Sequence, residues 1–199
     1  MGVISNGTTL IDNGALDPAV PTGSLILLST QTASGSASIS FTSGIDSTYD
    51  VYCFKYIEMN PTLDETSFEF NLSTDGGANY NVTKTTTYFR AFHREDDSET
   101  FLNYLTANDL AQSTAYQDIT LTVGNAADEN ASGTLYLYNP SSTTYVKHFL
   151  SLSNSTRFVN ASQETFVAGY GNTTSAVNAI QFKFGGGNFD GTIKMYGVK

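Results

Sequence analysis

Two histidines, one cysteine and a short acidic run are the residues on which chemistry would have to be built. His148 lies between Val146 and Leu150 in an alternating stretch, and the row Val146, His148, Leu150, Leu152 is expected to face inward. A lone imidazole lacks the second and third ligands of a metal site, so His148 reads as a core or interface residue. His93 stands beside Arg94, Glu95, Asp96, Asp97 and Glu99. Hard oxygens in such a run suit a cation, but the alternating spacing and turning glycine of a calcium loop are missing, so a solvated loop tip is expected. Cys53 is the single cysteine, which excludes an intramolecular disulfide. It sits among Val51, Tyr52, Phe54 and Tyr56 and reads as a buried, inert thiol. A reactive thiolate would need a cationic or histidine neighbour that the sequence does not place.

Other catalytic patterns fail on spacing. No serine stands in a Gly-x-Ser-x-Gly elbow, and there is no Walker lysine loop. Gly185-Gly186-Gly187 precedes strand-like sequence rather than a helix, so it reads as a hairpin turn and not a phosphate cradle. Asp64 and Glu65 are adjacent, and on a strand they would point to opposite faces. No residue is assigned a catalytic, cofactor-binding or metal-binding role, and a non-enzymatic chain is expected.

One stretch has a more specific pattern. Ser73-Thr74-Asp75-Gly76-Gly77-Ala78-Asn79-Tyr80 resembles the Asp box of sialidases and related β-proteins. The resemblance implies that Asp75 accepts backbone N–H groups across a hairpin turn, that Gly77 takes a positive φ, and that Tyr80 packs beneath. In that family the box is a fold element away from the active site.

The elements that must carry these residues are strands. Ser, Thr, Gly, Asn and Tyr are abundant and strong helix formers are scarce. Ser and Thr compete for backbone hydrogen bonds in helices, whereas Thr and Tyr suit pleated sheets. Alternation places Ile39 and Phe41 on one face, then Phe68, Phe70 and Leu72, then Ile119, Leu121 and Val123, then Leu135 and Leu137 against Tyr136 and Tyr138. Tyr49–Met59 is apolar on both faces and reads as a central strand. Phe166–Tyr170, the row Ile180, Phe182, Phe184 and the pair Ile193, Met195 complete the series. Turn residues separate the runs, and roughly ten strands at hairpin spacing predict an all-β antiparallel β-sandwich or jelly roll. Glu99–Gln112 is the one stretch that reads as a helix, with a loop over the sheet as the alternative. Residues 1–24 carry Pro18, Pro21 and isolated apolar residues and cannot build a core alone. They are expected to form an extended arm, with Leu10, Ile11 and Leu16 docking on a neighbour, and residues 25–199 the sandwich domain.

Charge narrows the partners. Nine Lys+Arg against nineteen Asp+Glu give a net charge of −10, which repels nucleic acid and anionic membranes. Apolar runs such as Leu25–Leu28 are too short to span a bilayer. Residues 1–24 lack the basic and apolar regions of a secretory signal, so synthesis in a cytoplasm is expected.

The C-terminal residues Asn178-Ala179-Ile180-Gln181-Phe182-Lys183-Phe184 and Gly191-Thr192-Ile193-Lys194-Met195-Tyr196-Gly197-Val198-Lys199, with the glycine turn between, resemble the closing hairpin of a group of tailed-bacteriophage virion proteins common in marine viruses and described loosely as structural or tail-fibre proteins. Ile4 to Thr9 with Asp12 to Ala15, Ser40 to Tyr49, the Asp-box turn and Asn139 to Phe149 resemble the same group in the same order. The resemblance implies a virion structural subunit, a capsid decoration, spike or tail-associated protein without catalytic residues. It implies homo-oligomers, trimers foremost, with other capsid or tail proteins and host surface glycan as further partners. Phe189 departs from the group's pattern and is expected as an exposed apolar turn residue that contacts a partner subunit. A carbohydrate-binding host-adsorption module is the alternative reading.

Overall fold

The computed structural model describes residues 3–5, 7–12, 15–16 and 23–199, with side chains at 4, 7 and 23–199. Among these residues there is no helix. Strands β1 (Val3–Ser5), β2 (Thr8–Asp12) and β3 (Ala15–Leu16) form an antiparallel sheet of their own. Ile11 pairs with both Val3 and Leu16 through the backbone. The side chains of Leu10, Ile11 and Leu16, on which the docking expectation rests, lie outside the described residues.

The rest is a sandwich of two unequal antiparallel sheets. The large sheet is built from β4 (Leu25–Ser36), β6 (Val51–Pro61), β8 (Lys84–Arg94), β9 (Thr100–Tyr104), β11 (Ala131–Tyr138), β12 (Lys147–Arg157), β13 (Ala161–Gly171) and β15 (Phe189–Val198). Their order across the sheet is β4-β15-β6-β11-β12-β13-β8-β9. The small sheet has the order β10-β7-β14-β5, from β5 (Ile39–Phe41), β7 (Phe68–Ser73), β10 (Gln117–Asp118) and β14 (Ala179–Phe184).

The two sheets meet through aromatic side chains. Phe41, Phe68, Phe70 and Phe182 of the small sheet pack on Phe54, Tyr56 and Phe149 of the large one, with ring centroids 5.0–5.6 Å apart in the closest cross-sheet pairs. Such alternating rows are what one buried face per strand demands.

Two expectations are overturned here. Glu99–Gln112 is not a helix. Its first part is β9, held to β8 by backbone pairing and by Phe101 stacked on Phe92 at 4.5 Å. The remainder, through Gln112, is loop. Phe189 is not exposed. It is fully buried as the first residue of β15, edge-on to Phe184 at 5.5 Å and Phe68 at 6.0 Å. The turn itself is confined to 185–188, and the adjacent bulge at Gly191 (φ 141°) rotates Phe189 back under the small sheet.

Candidate interaction surface

Strand β12 is inverted with respect to the expectation. Lys147, Phe149, Ser151, Ser153 and Ser155 are buried, while His148, Leu150 and Leu152 point outward and are exposed. The neighbouring strand β13 repeats this, with Gln163 and Thr165 buried and Phe166 on the outer face.

The reason lies in what covers the strands. Opposite β12, β13 and β8 the small sheet gives way to the segment 105–124, in which Gln117–Asp118 is the one strand. Irregular backbone leaves carbonyls without ladder partners, and these must be met from below. Ser153 Oγ donates to Ile119 O at 2.5 Å, and Gln163 Nε2 donates to Leu121 O at 3.3 Å. Thr86 Oγ1 donates to Gln117 Oε1 at 2.6 Å, and Gln117 Nε2 passes the chain on to Asn108 O at 2.9 Å. The Tyr56 hydroxyl donates to Ser153 Oγ at 2.9 Å, and burial pushes it up to about 12. The inward rows are polar because their partner is a loop.

The outward rows carry large apolar side chains among small polar ones, and no other element among the described residues packs on them. Most of the exposed large hydrophobic side chains among the described residues, Leu27, Ile57, Tyr138, Leu150, Leu152, Phe89, Leu102 and Tyr104, lie on the outer face of the large sheet, while Ile4, Leu63 and Tyr145 are exposed elsewhere. Leu150 is 44% and Leu152 40% exposed, in mid-sheet. Phe166 and Phe89 stack face to face at 4.9 Å, and Tyr136 stacks on Tyr138 at 6.4 Å. Along the outward rows of β11, β12, β13 and β8, Glu164 is the one carboxylate. Lys55 on β6 and Lys194 on β15 pair across the sheet at the other margin, and Lys55 lies over the Tyr196 ring at 5.5 Å. Cys53 is also on this face, fully buried beside Tyr136, and burial pushes its thiol up, away from the thiolate.

A shallow groove of about 300 Å³ opens on the same face, lined by Thr85, Thr87, His148, Ala168, Gly169 and Tyr170. His148 lies 5.9 Å from the Tyr170 ring there. A larger hollow of about 500 Å³ lies beside the β8–β9 hairpin, where His93 Nε2 meets Asp97 Oδ1 at 3.0 Å and both side chains are exposed. No group of three or more His, Cys, Asp or Glu side chains close enough to share a metal ion occurs among the described residues.

The Asp-box stretch follows β7. Asp75 Oδ1 accepts from Asn79 N at 2.9 Å and from Ser73 Oγ at 2.6 Å, and Ser73 Oγ accepts from Gly77 N at 3.0 Å. These bonds hold the Asp75 carboxyl down at about 2. Gly77 has φ 92°, and a Cβ there would come within 2.6 Å of the Tyr80 hydroxyl. The turn lies outside the outer face of the large sheet and ties β7 to β14 through Asn178, whose Oδ1 accepts from Gly76 N.

Two buried lysines were not singled out from the sequence. Lys84 and Lys147 both pair with Gly171 across the large sheet and point inward. Lys84 Nζ donates to Asn71 Oδ1 and to Val82 O, and desolvation lowers its amine to about 7. Lys147 Nζ donates to Tyr145 O and Thr173 O, joining two loops. Their signal in the sequence is only their phase, two residues ahead of Thr86 and Phe149 in the same inward rows.

Comparison with protein-family models, with curated protein sequences and with solved structures returns no match.

Proposed function

We propose that the chain is a non-enzymatic structural protein of a tailed-bacteriophage virion, a capsid decoration, spike or tail-associated subunit made in the host cytoplasm and assembled by surface packing. In this reading the jelly-roll-like sandwich is the building block, and residues 1–24 are an arm that docks on a neighbouring virion protein. The observation that carries it is the outer face of the large sheet, where Leu150, Leu152 and the stacked pair Phe89 and Phe166 stand uncovered among the described residues on a chain of net charge −10. Apolar patches of that kind mark surfaces that are covered in the working assembly. Mass spectrometry of purified particles of the virus that encodes the chain tests this. The chain is expected at a fixed ratio to the major capsid or tail protein, and its absence from intact particles overturns the reading.

One observation favours a second reading, a carbohydrate-binding host-adsorption module. The groove beside His148 and Tyr170 combines an aromatic face with the hydroxyls of Thr85 and Thr87, a combination suited to a sugar ring. Saturable binding to host polysaccharide, weakened by Tyr170→Ala, is the expected result; silence across a broad glycan array discards this reading.

A further inference from the structure

We propose that the outer face of the large sheet is a self-complementary interface, and that its occupant is a second copy of this chain related by a two-fold axis. This rests on reading the face as an assembly surface. Three features argue for a copy of the same chain.

The first is charge. Two bodies of net charge −10 repel one another, so they can meet only through a region that carries little of that charge. The outward rows of β11, β12, β13 and β8 hold a single carboxylate, Glu164. A strongly basic partner would find only Glu164 on these rows to neutralise.

The second is size. Eight strands about 4.8 Å apart, each offering roughly eight residues at about 3.4 Å, make a face on the order of 1,000 Å². A standard interface needs about 800 Å² per partner.

The third is the placement of the charges that do occur. Lys55 pairs with Thr134, which pairs with Leu152, which pairs with Phe166, so all four share one row across β6, β11, β12 and β13. Glu164 is two residues from Phe166, one outward position further along β13. A two-fold axis parallel to the strands and running between β11 and β12 lays β6 of one copy over β13 of the other. Lys55 then falls one outward position, about 7 Å, from the other copy's Glu164. The same operation sets Tyr136 of each copy on Leu150 of the other and Thr134 on Leu152. A contact of this kind is isologous and closes on itself.

The test is the mass of the purified chain in solution, by sedimentation equilibrium over a range of concentrations. An even number of 21.4 kDa chains is expected. Leu150→Glu with Leu152→Glu is expected to halve that number while the far-UV circular dichroism of the sandwich is kept. Should that double variant fail to fold, Glu164→Lys serves in its place. It is expected to weaken association by about 2–5-fold, and Lys55→Glu added to it to restore association. A monomer or a trimer, or an even oligomer indifferent to both sets of changes, overturns the proposal. A monomer whose face becomes protected from hydrogen exchange only in assembled particles would overturn it while leaving the virion reading standing, with another virion protein as the occupant.

Discussion

Lys84 brings a primary amine into the sandwich with only neutral oxygens as acceptors, and its titration should be visible in the stability of the whole protein. Folded, the amine titrates at about 7; unfolded, it returns to the ordinary 10.5. Between these values the unfolded chain holds the extra proton, so stability rises with pH across that window and the cost is largest below it. Lys84→Met is expected to flatten the change in melting temperature between about pH 7 and about pH 9.5, as read by thermal unfolding in matched buffers. Asp118 adds a slope of opposite origin. Desolvation raises its carboxyl to about 6, so the folded state binds a proton before the unfolded one, and stability rises as pH falls from about 6 toward the ordinary carboxylate value. Asp75 runs the other way. Its carboxyl is held at about 2, and its contribution is present above the ordinary carboxylate value and lost as acid approaches 2. Asp75→Asn should therefore lower the melting point at neutral pH and leave it unchanged at the acid end. Ser73→Ala removes a buried hydroxyl that serves Asp75 and Gly77 and should cost about 1–3 kcal/mol in chemical denaturation.

Strand β12 decides how far the elements could be read from the sequence. In β7, β14 and β15 the inward rows are aromatic or aliphatic, because another strand with its own satisfied ladder packs on them, and period-two alternation finds Phe68, Phe70, Leu72, Ile180, Phe182, Phe184, Ile193 and Met195 directly. In β12 the same alternation pointed the wrong way. The pattern puts the apolar residues inward, yet Ser151, Ser153 and Ser155 are the buried ones, because they lie under irregular backbone that needs donors. The phase of such a strand is set by the segment between 105 and 124, with Ile119 34 residues from its partner Ser153, and no local pattern reports it. Phe189 was misread for a related reason: a glycine bulge two residues on changes which way the side chain points. The inversion makes a paired prediction. Ser153→Val should destabilise by about 1–3 kcal/mol, because Ile119 O and the Tyr56 hydroxyl lose their partner. Leu152→Ser, a larger loss of apolar surface by sequence, should leave the unfolding midpoint of a non-associated chain within about 0.5 kcal/mol of the parent. Urea titrations of both variants at low protein concentration check the pair.

At the scale of the molecule, a body of net charge −10 carries a broad sheet face with few charges. Long-range repulsion and short-range apolar attraction then act against each other, and salt shifts the balance by screening the first without weakening the second. Association is expected to strengthen as ionic strength rises from about 20 mM to about 500 mM, where one Debye length shrinks well below the width of the face. Sedimentation at the two salt levels distinguishes this from an interface held by ion pairs, which would loosen. The face itself could not have been picked from composition. Each of its leucines and phenylalanines is unremarkable alone, and only the register of β11, β12, β13 and β8 brings them side by side.

The position of β15 has a consequence for how the chain is born. Strand β15 is not at an edge although it follows all the others in sequence: it lies between β4 and β6, pairing with both, and β14, which precedes it across the glycine turn, occupies the middle of the other sheet. Until residues 179–198 have left the ribosome, β4 has no neighbour in the large sheet and β7 and β5 have none between them. Most of the barrier to folding must therefore be crossed after translation of these two strands, by pairings of high sequence separation that form slowly. A nascent chain stalled before Asn178 should remain protease-sensitive throughout, and one stalled with residue 199 clear of the exit tunnel should become resistant in a single step.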